Sequence, residues 1–127
     1  MKQVRAVVIV AAAIGGAWYG ARYFLPLGTS KDFAIICTAY EKGMAKIEQA
    51  EINSRQPNEP EIAFEIATAI EKGVVNKDVH ASVRGISFAS PESKYSLLQQ
   101  AAAELGVKDW ECEAARRYME RALPGSN

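Results

Sequence analysis

The chain has 127 residues, 49% of them apolar, with 15 basic and 15 acidic side chains. That composition excludes a disordered chain and a polybasic nucleic-acid binder. The zero net charge is unevenly built: no acidic residue precedes Asp32, and Lys2, Arg5 and Arg22 leave 12 basic against 15 acidic groups after residue 28.

Residues 6–21, AVVIVAAAIGGAWYGA, carry no charge and lie between Arg5 and Arg22. The run is short of the ~20 residues that cross hydrocarbon. Snorkelling of both arginines extends the usable span to about residues 4–25, long enough for one transmembrane helix. Trp18, Tyr19 and Tyr23 gather at its C-terminal end, where aromatic rings favour the interface, so Arg5, Trp18, Tyr19, Arg22 and Tyr23 are the expected membrane-interface anchors. Lys2 and Arg5 favour a cytoplasmic N-terminus. A cleaved secretory signal, with Gly15-Gly16-Ala17 as the cleavage site, is the competing expectation. Gly16 and Gly20 form a GxxxG pair, a weak motif through which a second membrane helix approaches closely. Pro26 is expected to stop this helix, with a break at Leu27-Gly28.

Beyond residue 28 the pattern is helical throughout, with no alternating run that suggests a sheet. The expectation is therefore an all-α chain: a membrane anchor over 1–28 and a bundle of about five helices over 29–127. The first helix of the domain should be capped by Thr29 or Ser30 and should place Phe33, Ile36, Cys37, Tyr40, Met44 and Ile47 on one face. Gly43 on that face predicts a close approach by another element. After the loop-like segment 53–60, a second helix begins near Pro60 and runs to Gly73 with Ile62, Ile66, Ala69 and Ile70 inward. Asn76 caps a third helix carrying Val79, Val83 and Ile86. A fourth starts at Ser90-Pro91 and buries Tyr95, Leu98, Ala102 and Leu105. Asp109 is expected to cap the last, with Cys112, Ala115, Met119 and Ala122 on one face. The turns after Ala69 and Ala102 resemble each other at a displacement of 33 positions, and both are expected to use a left-handed glycine, Gly73 and Gly106.

Cys37 and Cys112 are the only cysteines. An even pair in an exported domain implies a disulfide, which would close a long loop and staple the first domain helix to the last. The chain lacks a nucleophile elbow, a phosphate-binding glycine loop and a metal-ligand spacing around its sole histidine, His80, which is expected to face solvent. Glu113 should pair with Arg116 and Arg117 along the last helix. Phe64 and Leu97 fall off their apolar stripes and are candidate partner contacts.

These features point to a non-enzymatic accessory or scaffolding subunit of a membrane protein complex, without cofactor, metal or evident small-molecule substrate. It would be single-pass in the inner (cytoplasmic) membrane, with integral membrane subunits and the lipid bilayer as its surroundings and its helical domain in the periplasm. The alternative is a membrane-tethered, immunity-like or chaperone-like module that captures a soluble exported partner.

Overall fold

The computed structural model describes residues 16–122, and the side chains of residues 28–122. Five helices follow one another: α1 (Gly16–Ile52), α2 (Glu59–Gly73), α3 (Lys77–Ile86), α4 (Pro91–Glu104) and α5 (Glu113–Glu120), with no strand among the described residues. Much of the candidate membrane span, including Arg5, lies outside those residues. Among the described residues no helix is long and apolar enough to cross a membrane.

α1 corrects the expected break. It passes through Pro26 and Gly28 as one helix of 37 residues, and Thr29 and Ser30 lie inside it rather than capping it. A proline costs a helix one N–H donor and about 3 kcal/mol, a local penalty that tertiary contacts can outweigh. On the domain side of the proline the helix is held by tertiary contacts. Thr29 is 5% exposed and its hydroxyl donates to the Leu105 carbonyl at 3.0 Å, while Asp32 and Phe33 are buried.

Phe33, Ile36, Met44 and Ile47 form the buried stripe of α1, as their spacing predicts. α2 returns antiparallel across it, because Gly43 meets Ile62 and Ile66 near the start of α2 while Ile35 meets Gly73 at its end. Both glycines are needed for space. A Cβ on Gly43 would fall 2.5 Å from Ile66 Cδ1 and 2.9 Å from its Cγ1, and one on Gly73 would fall 2.7 Å from Ile35 Cγ2. Gly73 does not adopt the left-handed backbone expected of it; Gly106 does, at φ 97°. The two similar-looking turns are thus solved differently, one by close packing and one by backbone conformation. Ala69, expected inward, is exposed.

Gly43→Ala is expected to lower stability by about 1 kcal/mol, since overpacking against Ile66 outweighs the helix propensity gained. Gly28→Ala, where an added Cβ meets nothing within 4 Å, should raise stability by a similar amount. Urea midpoints of the two variants should move in opposite directions.

α3 begins as its sequence predicts, with the Asn76 side chain accepting from the backbone N–H groups of Asp78 and Val79. α4 begins at Pro91 after Ser90. α5 starts later than expected, after Cys112, and Asp109 occupies the turn with φ 58° instead of capping the helix. Asp is among the few residues that tolerate this region. The segment before α5 is fixed by tertiary hydrogen bonds: Trp110 Nε1 donates to the Phe33 carbonyl at 3.2 Å, Gln99 Nε2 to the Trp110 carbonyl at 3.0 Å, and Cys112 N–H to the Tyr95 hydroxyl at 2.8 Å. The Trp110 ring meets Phe33 edge-on, with centroids 5.6 Å apart.

Cys37 and Cys112 form the expected disulfide, with Cα atoms 5.6 Å apart and 75 positions between them in sequence. It joins α1 to the start of α5, which runs parallel to α1 and continues the contact through the Tyr40 and Tyr118 rings at 5.5 Å. Ala115 and Met119 are buried on α5, whereas Ala122 beyond it is exposed. α1 is therefore the spine, contacted by both α2 and α5, with α4 against α5 and α3 against α4.

Candidate functional site

Because α2 and α4 each pack on other helices, a groove remains between them, floored by α1. It forms a cavity of about 420 Å³. Ile36 and Tyr40 form the floor, Ala63, Ile66, Ala67 and Ile70 one wall, and Leu98 with Met119 the other. Val83 and Ile86 of α3 close one end. Most of these residues belong to the apolar stripes that the sequence reveals, so the groove is a gap in the core.

The polar groups around the groove are few. Glu71 pairs with Arg84 at 2.8 Å on the rim. His80 leans inward rather than facing solvent: its side chain is 20% exposed, Nε2 lies 2.7 Å from the Val74 carbonyl, and Nδ1 lies 3.9 Å from Glu71. The carbonyl contact makes Nε2 the donor, so the ring serves to hold the α2–α3 turn. Lys94 lines the opposite wall, half-buried and without a hydrogen bond or ion pair to any described residue. Burial raises the Tyr40 phenol to about 12, with a further upward push from Tyr118, whose own phenol is raised by burial and the nearby Glu59 carboxylate. Neither phenol hydroxyl has a hydrogen-bond partner among the described residues.

The arginines of α5, and Arg121 just beyond it, are paired with carboxylates. Arg116 binds Glu113 and also Glu120 at 3.0 Å, and its hydrogen bond holds the Glu113 carboxyl below the usual range. Arg117 does not pair with Glu113 as its spacing predicts, but reaches Glu48 of α1 at 2.7 Å. Arg121 reaches Glu51 and Glu59. These pairs tie α5 to α1 and to the start of α2.

Among the sequence-predicted residues, Cys37 and Cys112 are brought together. Gly16, Trp18, Tyr19, Gly20, Arg22 and Tyr23 lie on the first turns of α1, where only the backbone is described. Phe64 is 71% exposed and Leu97 37%, and neither lines the groove. Periodicity does not reveal that Phe88, in the α3–α4 turn next to the groove-lining Ser87, is 91% exposed. No metal-holding group of three His, Cys, Asp or Glu side chains occurs among the described residues. The chain matches no protein-family model, and comparison with curated proteins and with solved structures also gives no match.

Proposed function

We propose that the protein is a non-enzymatic accessory or scaffolding subunit of a membrane protein complex, anchored by its N-terminal apolar segment, with the helical domain on the periplasmic side. The observation that carries this reading is the continuity of α1. α1 begins at Gly16, inside the apolar segment, and is also the spine of the domain, so about 55 Å of unbroken helix joins the described end of that segment to the domain core. A subunit that must cover a defined surface of a larger integral protein benefits from that continuity. The Cys37–Cys112 disulfide agrees with an oxidising compartment.

The exposed Phe64 and Leu97 favour a second reading, a tethered module that captures a soluble exported partner. A short Gly-Ser linker inserted between Leu27 and Gly28 separates the two. Mild-detergent purification through a C-terminal tag should bring down integral membrane subunits with the unaltered chain and lose them with the linker variant. If the unaltered chain elutes alone, the subunit reading fails. Retention of a soluble partner by both forms would establish the tethered module instead.

A further inference from the structure

Along α2 the groove wall extends from Ala63 to Glu71, about 12 Å of helix. Its chemistry is asymmetric. One end stops at the Glu71–Arg84 ion pair, whose charges offset each other, whereas the α4 wall carries Lys94 one turn before Leu98. A half-buried ammonium beside an apolar wall, with no carboxylate paired to it among the described residues, can accept an anionic group at the groove mouth.

We propose that the groove binds a single-chain amphiphile: an acyl chain lying along Ile66, Ile70, Leu98 and Met119, with its anionic head group on the Lys94 ammonium. The ligand thereby buries its chain and supplies a counter-charge in one molecule. A partner protein's helix fits less well, because it needs an apolar strip continuing past both ends, and one end here is closed by charged side chains. The inference does not depend on the subunit reading, since it concerns the interior of the domain whether or not that domain docks on another protein.

The test uses the full chain in phosphatidylcholine nanodiscs and a photoactivatable decanoate analogue, with empty nanodiscs as the blank and cross-linked peptides mapped by mass spectrometry. Labels should saturate and fall on the segments containing Ile66, Ile70 and Leu98. Excess decanoate should suppress them, and decyltrimethylammonium, with the same chain and opposite charge, should not. Lys94→Gln should weaken decanoate binding about tenfold, the scale of one charge-assisted hydrogen bond. Lys72→Gln, elsewhere on α2, should leave it unchanged. Ala67→Trp should abolish labelling by filling the groove. If that variant does not fold, Lys94→Gln and the cationic competitor decide the matter. Lysophosphatidylglycerol competing at lower concentration than decanoate would identify a phospholipid source, and the reverse order a free carboxylate. Unsaturable labelling, labels outside the groove, equal competition by the cation, or an unaltered Lys94→Gln would overturn the proposal. An isolated chain that binds no amphiphile but an apolar peptide would assign the groove to a protein partner instead.

Discussion

Replacing Cys37 and Cys112 together by alanine is expected to cost the domain about 4 kcal/mol, the chain-entropy value for a closed loop of this length. The loop contains α2, α3 and α4, and hence nearly all of the groove. Small domains hold a total margin of only ~5–15 kcal/mol, so this one bond accounts for a large part of it. The melting temperature should fall by roughly 15–30 °C. Alanine is the suitable replacement because Cys112 is 2% exposed, and a serine there would add the cost of an unpaired hydroxyl. Reduction of the unaltered protein should give the same loss, and the urea m-value should rise as the unfolded chain expands. A melting temperature within a few degrees of the unaltered protein in both experiments would show that the helices hold without the bridge, and the chain-entropy account would fail.

The bridge was legible in the sequence because two cysteines leave a single intramolecular pairing. The buried faces of α1 to α4 were largely legible too, since a 3.6-residue period and an N-cap such as Asn76 are local signals. What failed was local chemistry overruled from a distance. Pro26 signals a stop, yet the contacts of Thr29, Asp32 and Phe33 keep the following turn helical. Asp109 signals a cap, yet Trp110 is drawn onto Phe33 and α5 begins after Cys112. Gly73 and Gly106 are alike in sequence and differ in role, because only the structure places Ile35 against the first.

The groove was not legible for a different reason. Periodicity tells which face of each helix turns inward, but not that two inward faces fail to meet. Lys94 looks in the sequence like any other surface lysine; its significance arises from the packing of α4, which leaves it half-buried beside Leu98. His80 likewise acquires its role from the nearby Val74 carbonyl. The functional candidates therefore depend on how the helices are arranged, whereas the helices themselves depend mostly on local pattern.

Asp32→Ala is expected to destabilise the domain by about 3 kcal/mol, although no apolar periodicity singles this residue out. Asp32 is 2% exposed, and its carboxylate accepts from the backbone N–H groups of Val75 at 3.1 Å and Asn76 at 2.9 Å. It thus links α1 to the turn between α2 and α3, and Asn76 in turn caps α3. Alanine removes both acceptors and leaves two N–H donors beside a buried void. Asparagine keeps one acceptor oxygen and should lose about half as much, which separates the hydrogen bonds from simple loss of volume. Hydrogen exchange should accelerate first at Val75 and Asn76, because local opening of this turn no longer breaks two charge-assisted bonds. A loss below about 1 kcal/mol, or identical effects from alanine and asparagine, would show that the carboxylate is dispensable. The same turn carries Val74, which holds His80 at the end of the groove, so loosening it should widen that end and weaken any ligand bound there. Combined with the cysteine replacements, the two losses should add, since one acts on the unfolded chain and the other on a native contact. Together they approach the entire margin of a domain this size, and the triple variant should be largely unfolded at 37 °C.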